Sequence, residues 1–177
     1  APGAATPRRQ SAVRRARVPP GGEPATASAS SAAARASQAP ERTAVADREG
    51  SWSYGELREA SARIFGWLLS RGVVKGDRVA VWAHRSAPVV PAVLGTLGAG
   101  AAFTMLDPAY PAPRLVEMLR LATPRALVYL EAAGPLPAAV SAWLEETGCP
   151  RLDLPGSGCP AVLGRLNGLP AEMAHVP

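Results

Sequence analysis

Cysteine is scarce. The 177 residues contain two, Cys149 and Cys159, too few for a disulfide framework and without the neighbouring ligands that a zinc site needs. Aromatic residues make up 5% of the chain and charged residues 19%, whereas 47% are hydrophobic. That balance excludes a wholly disordered polypeptide and leaves enough apolar area for one core. No uninterrupted stretch reaches the roughly 18 apolar residues that a membrane-crossing helix needs, so no membrane partner is expected. Lysine is nearly missing: Lys75 stands against 18 arginines, a skew of base composition rather than of chemistry.

Excess charge is missing from most of the chain as well. A net charge of +5 and a pI near 10.0 resemble those of a nucleic-acid binder. The distribution removes that reading. Residues 1–40 carry six arginines and one acid, while residues 41–177 carry 13 basic and 13 acidic residues. A neutral body has no field to steer a polyanion, and no nucleic-acid partner is expected.

Residues 1–40 are rich in Ala, Ser, Pro, Gly and Arg, with no aromatic residue and no hydrophobic period. They are predicted to be a disordered tail or linker, because they cannot bury enough apolar area to offset their conformational entropy. A transit peptide shares this composition, but the chain begins at Ala1 rather than Met, which favours the linker. Both ends of the chain are expected to be cut.

Regular structure is predicted from Glu41 onward. Ser53-Tyr54-Gly55-Glu56 fits a capping box, and Trp52 and Leu57 have the spacing of a hydrophobic staple. Leu57, Ile64 and Leu68 then share one face of a helix that ends at Gly72. Arg78 to Ala83 reads as a buried strand after the Gly76-Asp77 turn. Ser86-Ala87-Pro88 opens a second helix towards Gly98, with Pro91 either kinking the first turn or standing as its first residue. Ala101 to Leu106 is a second strand, closed by Asp107-Pro108. Pro113 opens a third helix whose Leu115, Met118, Leu119 and Ala122 form a stripe, stopped by Pro124. Arg125 to Leu130 is a third strand. Pro137 starts a fourth helix, with Leu136, Val140, Trp143 and Leu144 on one face and Gly148 at its end. Alternating short strands and helices imply an α/β fold with a parallel sheet and right-handed crossovers. No element is assigned after Cys149, and residues 156–177 are expected to be an irregular continuation.

Motifs for catalysis are few. The loop after the first strand, His84-Arg85-Ser86-Ala87-Pro88, has no glycine, so it is no dinucleotide fingerprint. Gly95-Thr96-Leu97-Gly98-Ala99-Gly100 has the wrong spacing and reads as a helix end and tight turn. The only lysine, Lys75, lies in a turn, which excludes a P-loop. Gly156-Ser157-Gly158 lacks the spacing of a nucleophile elbow. His84 stands at a strand end, where α/β ligands gather, yet reads as solvated or capping, and His175 lies far from it in sequence. Asp107 fits turn initiation. Glu145-Glu146 reads as a solvated helix face. No catalytic, cofactor-binding or metal-ligating residue is nominated.

Taken together, two segments are familiar. Trp52-Ser53-Tyr54-Gly55-Glu56-Leu57 resembles the first core motif of the adenylation domains of nonribosomal peptide synthetases. Leu97-Gly98-Ala99-Gly100-Ala101-Ala102-Phe103-Thr104-Met105-Leu106-Asp107-Pro108-Ala109-Tyr110-Pro111 resembles the second. The likeness covers about residues 41–155. Gly98 stands where the family usually has lysine, and Met105 where most peptide synthetases have proline; an aliphatic residue there is more similar to α-aminoadipate reductases.

The resemblance implies the amino-terminal portion of the large subdomain of an adenylation domain. It implies a parent enzyme that joins a carboxylate to the α-phosphate of ATP with Mg²⁺, then passes the acyl group to phosphopantetheine on a carrier domain. The partners it implies are the remainder of the adenylation domain and that carrier. The family's phosphate loop, ribose-binding acid, substrate pocket and catalytic lysine are not encoded here, so the chain is expected to be inactive alone. It further implies a cytoplasmic setting, or an organellar one if the tail is a transit peptide. The competing reading is a non-catalytic α/β interaction module or degenerate gene product with a targeting-type basic tail. The segment Gly98–Pro111 is expected to leave a helix, run as an interior parallel strand and turn at Asp107.

Overall fold

The structure, a computed structural model, describes residues 34–156 and 158–171. Residues 1–33, most of the predicted tail, lie outside the described residues. Within the remainder, residues 34–38 are helical and Ala36 is buried, so regular structure begins before residue 41.

Ser53 starts the first long helix as its chemistry requires. Its Oγ accepts from the Glu56 amide at 3.2 Å, and Glu56 Oε2 accepts from the Ser53 amide at 2.7 Å. The two bonds satisfy otherwise orphaned donors and open helix α1, Tyr54–Ser70. Ahead of it, β1 (Thr43–Ala46) and β2 (Ser51–Ser53) form a short antiparallel hairpin, which the sequence pattern did not disclose. Strand β3 (Arg78–Trp82), helix α2 (Val89–Gly98), strand β4 (Ala102–Leu106), helix α3 (Ala112–Ala122) and strand β5 (Ala126–Leu130) follow. A 3-10 turn, Glu131–Ala133, leads to helix α4, Ala138–Thr147. Strand β6 (Arg151–Leu154) and helix α5 (Cys159–Leu166) complete the order. The last two correct the sequence reading. Residues 156–177 were expected to be irregular, but α5 lies among them because Val162 and Leu166 are buried against the sheet side.

The four strands β4-β3-β5-β6 form one parallel sheet in that order. Strand β3 is paired on both sides: Val79 faces Phe103 and Ala126, and Trp82 faces Leu106 and Tyr129. Successive side chains point to opposite faces. Val79, Val81, Val128, Leu152 and Leu154 therefore join Ile64, Leu68, Ala92 and Val162 in a core under α1, α2 and α5. Ala80, Trp82, Leu106 and Leu127 join Leu115, Leu119, Val140 and Leu144 under α3 and α4 on the other face.

Residues 86–106 contain no charged side chain. The stretch does not form one long apolar helix. It is divided by Gly100, whose positive φ of 70° turns the chain from α2 into β4. No helix among the described residues is long and apolar enough to cross a membrane. Pro91 is not the first helical residue but the third, within the first turn, where the amide it lacks would have no intrahelical partner. Strand β4 was expected in the interior of a sheet. It pairs with β3 alone among the described strands and stands at the edge, with Phe103 42% exposed.

Helices α1 and α2 meet at Gly95. A Cβ there would lie 2.8 Å from the Ser61 carbonyl oxygen and 2.9 Å from Ile64 Cγ2, distances that force the helices apart. Gly95→Ala is expected to destabilise the fold by about 1–3 kcal/mol through overpacking, read as a lower urea midpoint with an unchanged slope.

Candidate functional site

Among the described residues, strand order places one topologically favoured crevice. The connection leaving β3 runs to β4 on one side of it, and the next connection returns to β5 on the other side. The helices after β3 and β5 lie on opposite faces of the sheet, so the loops diverge above the carboxyl ends of those two strands. In open α/β sheets, ligands enter at such a switch point.

At that end of the sheet, Trp82 closes β3 beside Tyr129 of β5. Trp82 Nε1 donates to the Gly134 carbonyl at 2.9 Å, and Tyr129 Oη donates to the same oxygen at 3.0 Å. Across β3, Asp47 reaches over from the β1–β2 turn. Its Oδ2 accepts from the Ala87 amide at 2.7 Å and its Oδ1 from the Glu49 amide at 2.9 Å. These bonds, the one from Ala87 first, hold the Asp47 carboxyl below its ordinary value, and nearby His84 adds to the effect.

The amino end of α2 offers little to an anion. The Val89 amide is bonded to the Ser86 carbonyl at 3.2 Å and that of Val90 to Ala87 at 3.0 Å. Pro88 and Pro91 have no amide hydrogen. A phosphate at this helix would find the Ala87 amide already taken by Asp47. The residues present at the switch point therefore do not fit ATP, which the sequence resemblance implies for the complete domain and not for this part of it. No group of three or more His, Cys, Asp or Glu side chains that could hold a metal ion occurs among the described residues.

Of the residues weighed from sequence, His84 and Asp107 stand just past the carboxyl ends of the paired strands β3 and β4, and Glu145 and Glu146 lie apart on α4. His84 is exposed just beyond β3, while Glu145 and Glu146 are exposed on α4. Asp107 Oδ1 accepts from the Ala109 amide at 2.8 Å, and the Asp107 carbonyl accepts from the Tyr110 amide at 3.0 Å. This is the turn-forming role expected of it. Gly95 to Gly100 end α2 and enter β4, also as expected. His175 and Ser157 lie outside the described residues. Burial pushes the Cys149 thiol up to about 11, and burial together with neighbouring Glu56 pushes Cys159 up to about 12. Asp47, Trp82 and Tyr129 were not singled out from sequence. Asp47 meets a partner 40 positions away, for which local spacing holds no signal.

Two outcomes follow from these groups. Because the folded Asp47 titrates below the unfolded value of 3.8, its carboxylate contributes stability above that pH and loses it as pH falls further. Denaturant midpoints measured down through the carboxylate range should decline less steeply for Asp47→Ala than for the wild type. Both thiols should resist alkylation in the folded chain near neutral pH, since the thiolate is the reactive form. Mass spectrometry should show modification of Cys149 and Cys159 accelerating sharply in denaturant.

The family model described as AMP-binding enzyme matches residues 32–156. The L-2-aminoadipate reductase of Schizosaccharomyces pombe is 42% identical over 97 residues, covering 55% of this chain and 7% of the reductase. The probable nonribosomal peptide synthetase CymA of Salinispora arenicola is 41% identical over 95 residues, covering 54% of this chain and 1% of the synthetase. The crystal structure of a benzoate CoA ligase from Burkholderia xenovorans superposes with a TM-score of 0.67 at 25% identity, covering 84% of this chain and 30% of the ligase. The chain thus spans less than a third of the length of each of these proteins. The family match takes in more than half of the chain and includes α1, the turn into β4 and Asp107. On that match the chain belongs to the AMP-binding enzyme family of adenylate-forming domains, and its relatives include aminoadipate reductases and nonribosomal peptide synthetases.

Proposed function

We propose that this chain is the amino-terminal part of the large subdomain of a carboxylate-activating domain, of the peptide-synthetase-like or aminoadipate-reductase-like kind, and that it does not catalyse adenylation alone. The observation that carries the reading is the match over residues 32–156, with the α2–β4–Asp107 segment folded as helix, parallel strand and turn. The lean towards a reductase rests on Met105 and on the 42% identity to the yeast reductase. In this reading residues 41–155 are the adenylation part, and their work is structural: they form one sheet of the domain with its covering helices.

The reaction of such a domain joins a carboxylate oxygen to the α-phosphorus of ATP and releases pyrophosphate. The acyl group then passes to a thiol of phosphopantetheine on a carrier domain. ATP supplies the leaving group, and Mg²⁺ neutralises charge on the phosphates. The reaction requires donors and cations aimed at those oxygens. The described residues contain no such assembly, and the amino end of α2 has its donors engaged. The remainder of the domain would provide it, along with the carrier partner.

The test is ATP–pyrophosphate exchange with a panel of carboxylic and amino acids. The 177-residue chain should show none. The same polypeptide extended through the phosphate loop and the small carboxyl-terminal subdomain should exchange pyrophosphate with one acid of the panel. Exchange by the chain as it stands would overturn its inactivity. An extended protein that binds a partner protein but no ATP would overturn the adenylating reading in favour of a non-catalytic module.

A further inference from the structure

The loop after β5 is held from two sides. In front, Trp82 Nε1 and Tyr129 Oη converge on the Gly134 carbonyl. Behind, the backbone of Gly156 lies so close that a Cβ on it would be 2.8 Å from both the amide nitrogen and Cβ of Ala132. Trp82 is buried in the core with Leu115 and Leu119, so its indole cannot swing out without breaking that packing. On the other side of β3, Asp47 supplies the carboxylate at the Ala87 amide, beside the two prolines that leave α2 with few donors. A switch-point crevice ordinarily offers free amides and side-chain donors to a ligand's oxygens. Here acceptors belonging to the protein take the donors on both flanks of the crevice.

We propose that the switch-point crevice between β3 and β5 is a self-occupied site. The Gly134 carbonyl and the Asp47 carboxylate stand where the oxygens of a ligand would stand, and the 131–134 loop is a fixed plug rather than a lid. The adenosine phosphate of the complete domain therefore binds away from this crevice. The inference rests on the adenylate-forming reading for its choice of ligand, though the closure of the crevice stands without it.

The test uses the 177-residue chain labelled with ¹⁵N, the Trp82 indole signal being assigned through Trp82→Phe and the Ala87 amide by backbone experiments. Both signals should exchange slowly with solvent and stay in place when MgATP or AMP is added at millimolar concentration. A saturable shift or broadening of either signal would overturn the inference. Movement of other signals with these two unmoved would place the nucleotide elsewhere on the chain, as the inference expects. Asp47→Ala removes the acceptor of the Ala87 amide and should quicken its exchange several-fold, whereas Tyr129→Phe removes only a competing donor and should leave the Trp82 indole slow to exchange on the Gly134 carbonyl. Unchanged Ala87 exchange in Asp47→Ala, or a Trp82 indole that exchanges at the free rate in the wild type, would show that the chain's own acceptors do not hold these donors, and the plug would be refuted.

Discussion

Val79, Ala80, Val81 and Trp82 are at most 1% exposed. A strand in this position must satisfy two conditions at once. Its backbone groups must find partners on both edges, which β4 and β5 supply in register, and its side chains must be apolar on both faces, because helices cover both. The remaining elements are arranged around those demands. Helices α1, α2 and α5 shelter one face and α3 and α4 the other. Gly95 allows α2 to lie against α1, and Gly100 returns the chain to the sheet edge.

The same arrangement explains what was legible in the sequence. Helix α1 could be read because its cap, first-turn acid and apolar face are all local, and each is present in the structure. The stripe on α3 and the apolar runs Val79–Trp82 of β3 and Ala126–Leu130 of β5 are local in the same sense. Strand β6 was hidden by composition. Arg151 and Asp153 interrupt it, their ends 2.7 Å apart on one side of the strand, while Leu152 and Leu154 fill the core on the other. Helix α5 has Pro160 at its start, where a proline is welcome, but Gly164 inside it, a poor local credential that burial of Val162 and Leu166 outweighs. The hairpin β1–β2 is too short to show a period.

The candidate site was less legible than the fold, for a related reason. Its contacts join residues far apart in the chain: Asp47 to Ala87, and Trp82 to Gly134. Sequence could indicate only that the loop after β3 has no glycine and that two prolines bracket the start of α2. Both facts point to an amino end unsuited to phosphate, in keeping with the donors found engaged there. Family likeness supplied the chemistry, and the geometry of these residues limits where in the domain that chemistry can be housed.

Strand order also sets a timetable for biosynthesis. Helix α1 precedes every strand of the sheet on which it rests. Trp67, Ile64 and Leu68 leave the ribosome some 60 positions before β5 is complete. At about 5–20 residues per second, this apolar surface waits roughly 3–12 s for its cover. During that interval α1 is the part of the nascent polypeptide that a chaperone would grip first.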